Sequence, residues 1–169
     1  MSGTIRFKRV LQLQVDQFLD MMDSAVLRVH KNDGTIVNID LENQWQDTVN
    51  DNTGYGENAL NSITVGSGVD NSAFGAEAGT ATTTGTDNTL MGDTAGDAIT
   101  TGTQNTAVGA NAASAATTVS DVTAFGYNAL ALSTGAGNAA FGSGALDANT
   151  TGVRNNAIGQ NALGLNTVG

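Results

Sequence analysis

From Asp51 onward the apolar and polar positions follow a long period rather than a short one. An apolar residue followed by glycine returns as Tyr55-Gly56, Phe74-Gly75, Met91-Gly92, Val108-Gly109, Phe125-Gly126, Phe141-Gly142 and Ile158-Gly159. The apolar members stand 19, 17, 17, 17, 16 and 17 residues apart. Three residues before this anchor Asn recurs at Asn71, Asn88, Asn105, Asn138 and Asn155, and four after it Ala stands in every unit, from Ala59 to Ala162. A second glycine falls six before the anchor at Gly68, Gly85, Gly102, Gly135 and Gly152. A repeat this regular determines the fold before any local propensity is considered.

Seventeen residues are too few for a helical-pair repeat, which needs about 33. They suit one coil of a parallel β-solenoid, or β-roll, whose coils stack at about 4.8 Å, so seven coils predict a shaft on the order of 34 Å long. In each coil the Thr/Ser-Ala-apolar word predicts a short strand. We expect its large residue to point inward, giving an internal row of Tyr55, Phe74, Met91, Val108, Phe125, Phe141 and Ile158. The glycine that follows (Gly56, Gly75, Gly92, Gly109, Gly126, Gly142, Gly159) predicts a corner, where positive φ or close backbone approach is cheap only without a Cβ. The "xNAL" words predict the returning side, with Ala and with Leu60, Leu130, Leu146 and Leu163 facing in. "NTTG" words predict a second turn. Stacking sets Asn71, Asn88 and Asn105, and then Asn138 and Asn155, in line for amide ladders. Both the 16-residue and the 19-residue unit change length in a turn, where insertions are tolerated best.

The first fifty residues obey other rules. Leu11, Val15, Phe18, Met22, Ala25 and Val29 alternate at steps of four and three, predicting a helix over about Leu11 to Asp23. "AVLRVHKNDGTIVNIDL" predicts a hairpin around Asp33-Gly34, and Thr4 to Lys8 a further strand. Residues 42–53 are polar and read as a junction. The division is therefore residues 1–50, a small α+β module, and residues 51–169, a mainly β solenoid of about seven repeats. The module either attaches the shaft to something else, with Arg6, Lys8, Arg9, Phe18 and Met22 as docking residues, or caps the first solenoid edge against runaway pairing.

Composition narrows the function. With 22 Gly, no Pro, no Cys and 13% charged residues, the chain has few large side chains with which to build a conventional core. Net charge is −10, and from residue 51 onward Arg154 is the one basic residue against nine acids. Such a surface repels phosphate backbones, so no nucleic-acid partner is expected. No run approaches the roughly 18 apolar residues of a membrane span, and no export signal is legible. One coil buries only one or two substantial apolar residues, worth about 1.5–3 kcal/mol each. Ordering its backbone costs about 1–2 kcal/mol per residue, so side-by-side association into a closed homo-oligomer is expected.

Catalytic chemistry is not expected, nor any metal or cofactor. The single His30 stands beside a predicted turn, outside the repeats, so no Ser-His-Asp system is expected there, and it reads as a solvated hairpin side chain. Asp93 and Asp97 are close enough to suggest a carboxylate pair, yet they lie in a turn-rich stretch without aromatic or basic neighbours. Gly66/Gly68 and Gly135/Gly137 complete neither a dinucleotide fingerprint nor a phosphate loop. A period of 17 excludes the nonapeptide calcium roll. Trp45 and Tyr55 read as junction packing. Thr84/Thr86, Thr101/Thr103 and Thr118/Ser120 form the start of a Thr-x-Thr face of the kind an ice-binding solenoid presents, but it decays to Thr134/Ala136 and Thr151/Val153.

The words "NTAVGANAA", "TAFGYNALALSTGAGNAAFGSGALDANTTG" and "NNAIGQNALGLNTVG" resemble the repeats of bacteriophage tail fibres. They are also similar to the head repeats of trimeric autotransporter adhesins, which build a left-handed parallel β-roll in a trimer. The resemblance covers about residues 54–169. It implies a homotrimeric structural protein of the virion tail that serves host attachment, with no catalytic residue. Its partners would be phage tail or baseplate proteins through the amino-terminal module and a host-surface receptor through a distal part. The alternative it implies is a head domain on the bacterial cell surface. Two departures matter: the unit is longer than the adhesin unit, which favours the fibre, and the chain ends within an eighth unit. The fibre is therefore expected to be short or to continue in a distal portion.

Overall fold

The structure is a computed structural model; it describes residues 26–30, 36–40, 44–47, 51–64 and 67–168. The described chain falls into two units, one ending at Glu42 and one beginning at Asn43. In the first, β1 (Val26–His30) and β2 (Ile36–Asp40) form an antiparallel hairpin in the register Val26↔Asp40 to His30↔Ile36. Val26, Val29, Ile36, Val37 and Ile39, β-branched residues with high strand propensity, give this hairpin its strands. The expected helix over 11–23, the strand over 4–8 and the docking residues Arg6, Lys8, Arg9, Phe18 and Met22 lie outside the described residues.

The second unit is a β-solenoid of about six turns, mainly β and repetitive, with no helix among its described residues. It contains β3 (Gln44–Asp47), β4 (Asn52–Tyr55), β5 (Ser72–Phe74), β6 (Thr89–Met91), β7 (Thr106–Val108), β8 (Thr123–Phe125), β9 (Ala139–Phe141) and β10 (Asn156–Ile158). From β4 to β10 each strand pairs parallel with the next, so the anchors stack as Tyr55↔Phe74↔Met91↔Val108↔Phe125↔Phe141↔Ile158. β3 differs: it pairs antiparallel with β4, matching Gln44 to Tyr55 and Asp47 to Asn52. The polar junction over 42–53 thus holds a strand, which covers the first edge of the parallel sheet. This strand brings the boundary between units forward from residue 50 to Glu42/Asn43.

The side-chain direction of the anchors corrects the expected inward row. Tyr55 is 53% exposed, Phe125 52% and Ile158 83%; Phe74, Met91 and Phe141 are also exposed and Val108 is partly so. The residue facing in is the middle one of each strand: Ala73, Leu90, Ala107, Ala124, Ala140 and Ala157, with Gly54 in the first. In a three-residue strand with a period of two, the middle side chain and the outer two must take opposite faces. The small residue takes the interior because a coil of 17 residues encloses too little space for a ring. Leu60, Leu130 and Leu146 are fully buried and complete the core with Ile99, Val119, Val122 and the Ala columns. Leu163 was expected among them, but it lies in the last coil and is 51% exposed.

Candidate functional site: the columns of the solenoid

Each position of the repeat becomes a column running along the stack, and a column of buried asparagines holds the stack together from inside. Asn71 donates its backbone N–H and its Nδ2 to Asn52 Oδ1 at 2.9 and 3.0 Å, and Nδ2 also reaches Gly85 O at 2.8 Å. Asn88 repeats this on Asn71 Oδ1 and Gly102 O, and Asn105 on Asn88 Oδ1 and Val119 O. Each amide oxygen therefore accepts two hydrogen bonds from the next coil while the amide nitrogen bridges two coils. Buried amides are affordable only because the ladder satisfies them. Asn52, three residues before Tyr55, is the first rung; its spacing in the repeat would have found it, though the sequence reading left it out. At the fifth unit Val122 takes the Asn column and keeps only the backbone link, its N–H donating to Asn105 Oδ1. The ladder resumes with Asn155 N–H on Asn138 Oδ1 at 2.8 Å.

The corner glycines are needed for two reasons. All seven have φ between +120° and +141°. A Cβ on Gly126 would stand 2.6 Å from the carbonyl carbon and oxygen of Gly142, and Gly92 and Gly109 meet the same obstacle one coil on. Gly159 has the φ but nothing within 4 Å. Three further columns are left-handed without glycine being required. They are the residues four before the anchor (Asp51, Asp70, Asp87, Gln104, Asp121, Arg154), three after it (Asn58, Glu77, Thr94, Asn111, Asn128, Asn161) and five after it (Leu60, Ala113, Leu130, Leu146, Leu163). Asp and Asn adopt this region readily; Leu and Thr do so at a cost of about 1–2 kcal/mol each. The recurrent Asp-Asn pair was the visible sign of the first of these columns.

Of the residues that suggested chemistry, Asp93 is exposed and Asp97 is partly sunk. Burial pushes the Asp97 carboxyl above its ordinary 3.8, against two backbone N–H groups that pull it down, and Glu77 and Asp93 add to the rise. Its Oδ1 has no hydrogen-bond partner. Among the described residues no group of three or more His, Cys, Asp or Glu is placed to hold a metal ion, and no helix is long and apolar enough to cross a membrane. His30 lies in β1 of the other unit. Within the Thr-x-Thr face Thr103 donates its hydroxyl to Ser120 Oγ, and in the column beside it Thr83 and Thr100 donate theirs to the carbonyls of Thr100 and Thr117.

What the solenoid presents outward is the anchor column, apolar in every coil. Tyr55 stacks on Phe74 with ring centroids 6.4 Å apart, and Phe125 on Phe141 at 6.2 Å. Elsewhere exposed large apolar residues such as Tyr127, Leu132 and Val153 occur in columns that are not apolar in every coil: Glu57 and Asp93 share the column of Tyr127, Ser62 that of Leu132 and Thr86 that of Val153. No protein-family model matches the chain, and neither a curated protein nor a solved structure does.

Proposed function

We propose that this chain is a structural protein of a bacteriophage tail fibre, forming the shaft, or the part of it nearest the virion, as a homotrimer. Its role is mechanical and adhesive rather than catalytic. The solenoid holds a distance between the virion and the host surface, and residues 1–50 dock to tail or baseplate proteins. The observation that carries the reading is the outward apolar column repeated in every coil of a solenoid whose own core is built mostly of alanine, with single Leu, Ile or Val side chains between. A side chain such as Phe125, half-exposed and stacked on its neighbour, marks surface that association would cover.

The internal bonding suits such a role. Successive coils are joined along the axis by backbone bonds such as Gly92 N–H to Phe74 O, Thr94 N–H to Ala76 O and Gly79 N–H to Ala95 O, each 2.8–3.0 Å. Tension along the shaft is shared by many such bonds per rung and by the Asn ladder. The test is the native mass of the purified protein by light scattering. Three times the 17.0 kDa chain is expected; a folded single chain would overturn the assembled shaft.

A further inference from the structure

We propose that the outward face of the parallel sheet is the contact between copies of this chain, and that the copies lie parallel and in register. The proposal rests on the assembled-shaft reading for the existence of an assembly and for the parallel copies; the face is new. Two columns form this face: the anchors, and the residues two before them from Thr53 through Thr89 and Thr123 to Asn156. Neither column contains a charged residue, in a chain of net charge −10.

The nine acids of residues 51–169 all stand in other columns. Asp51, Asp70, Asp87 and Asp121 lie four before the anchor, Glu57 and Asp93 two after it, Glu77 three after it, and Asp97 and Asp147 six after it. When copies are related by a rotation axis parallel to the stack, the residues nearest that axis meet their own counterparts at the same height. A column holding an acid would then meet the same acid and repel. Only a column that is compatible with itself in every rung can lie at such a contact. The anchor column meets that condition and is also apolar throughout.

Size argues for a ring over a pair. Six steps of about 4.8 Å make the face about 29 Å long, and two columns make it about 10 Å wide. That is on the order of 300 Å², short of the roughly 800 Å² per partner of a stable pair. A pair meeting on this face alone is therefore too small. A closed ring with the anchor column turned toward the axis brings the flanking columns into contact on both sides, and cyclic symmetry makes all copies parallel.

The chain has no cysteine, so single cysteines report position cleanly. Phe74→Cys in the full chain, mildly oxidised, is expected to shift from the one-chain to the two-chain position on a non-reducing gel. Thr84→Cys, exposed on another side, is expected not to shift. Phe74→Cys co-refolded with a Phe141→Cys chain carrying a longer tag is expected to give no mixed band. A mixed band would mean antiparallel copies and would overturn the orientation. If light scattering reports several copies but Phe74→Cys links no better than Thr84→Cys, the face is wrong and the shaft reading stands; a one-chain mass removes both. Charge gives an independent check. Phe74→Lys and Phe74→Asp should each lose the assembled mass alone and regain it when mixed; retention of the wild-type mass by either one alone would overturn the proposal.

Discussion

Gly126 and Gly159 occupy the same corner of the repeat with similar backbones, φ +137° and +120°, but only Gly126 has another coil against it. Gly126→Val adds overpacking against the Gly142 carbonyl to the conformational cost and should lower stability by about 3 kcal/mol or more. Gly159→Ala should cost only about 1 kcal/mol, the conformational part. Thermal melts of the two variants check the contrast, and similar losses in both would show that packing between coils is not the reason for the glycine. Asn88→Ala removes both amide links between three coils and leaves the Gly102 carbonyl and the Asn105 backbone N–H without these partners in the interior. Stranding buried polar groups costs about 1–3 kcal/mol apiece, so a loss of about 3 kcal/mol is expected in chemical denaturation.

Within one coil, the returning side carries Asp97, and its pH behaviour follows from its burial. Its pKa is raised in the folded chain, so the folded state holds the proton more tightly than the unfolded one. Asp97 therefore favours folding below about pH 4, and that contribution is lost as pH rises through the folded pKa. Asp97→Asn should raise the melting temperature at pH 7 and make little difference below the ordinary value of 3.8. Melts across pH 3–7 provide the check, and a gain independent of pH would place the effect elsewhere. The coil also shows what the residues disclosed in advance. Gly and Asn announced the period because at Gly126 and Asn88 no other residue meets the backbone or the hydrogen bonds required. The direction of Phe74 was not legible: hydrophobicity alone argues for the interior, and the narrowness of the coil, which admits Ala73 instead, is a property of the closed turn. The left-handed Leu60 and Leu130 gave no local sign either, since their burial outweighs a torsion that propensity disfavours.

The whole solenoid begins at a covered edge. There β3 runs against β4 and occupies its free hydrogen-bonding groups. Removing residues 1–47 should expose Asn52–Tyr55 as an open parallel-sheet edge and raise the tendency to form large aggregates. Light scattering of the truncated and full chains at equal concentration measures it; equal scattering would mean that β3 is dispensable as a cover. The antiparallel direction of β3 could not be read from the polar stretch over 42–53, because pairing direction depends on where the chain re-enters the sheet. Between the ends, units of 16, 17 and 19 residues keep one rung of register each, since Phe125 pairs with Phe141 just as Met91 pairs with Val108. The extra or missing residues are absorbed away from the strands. Reach is thus written in whole numbers: each duplicated unit lengthens the column by one step of about 4.8 Å and each deleted unit shortens it by the same. Such a gene can act as a tape measure, its gradations set by the count of copies and indifferent to small errors in any one of them.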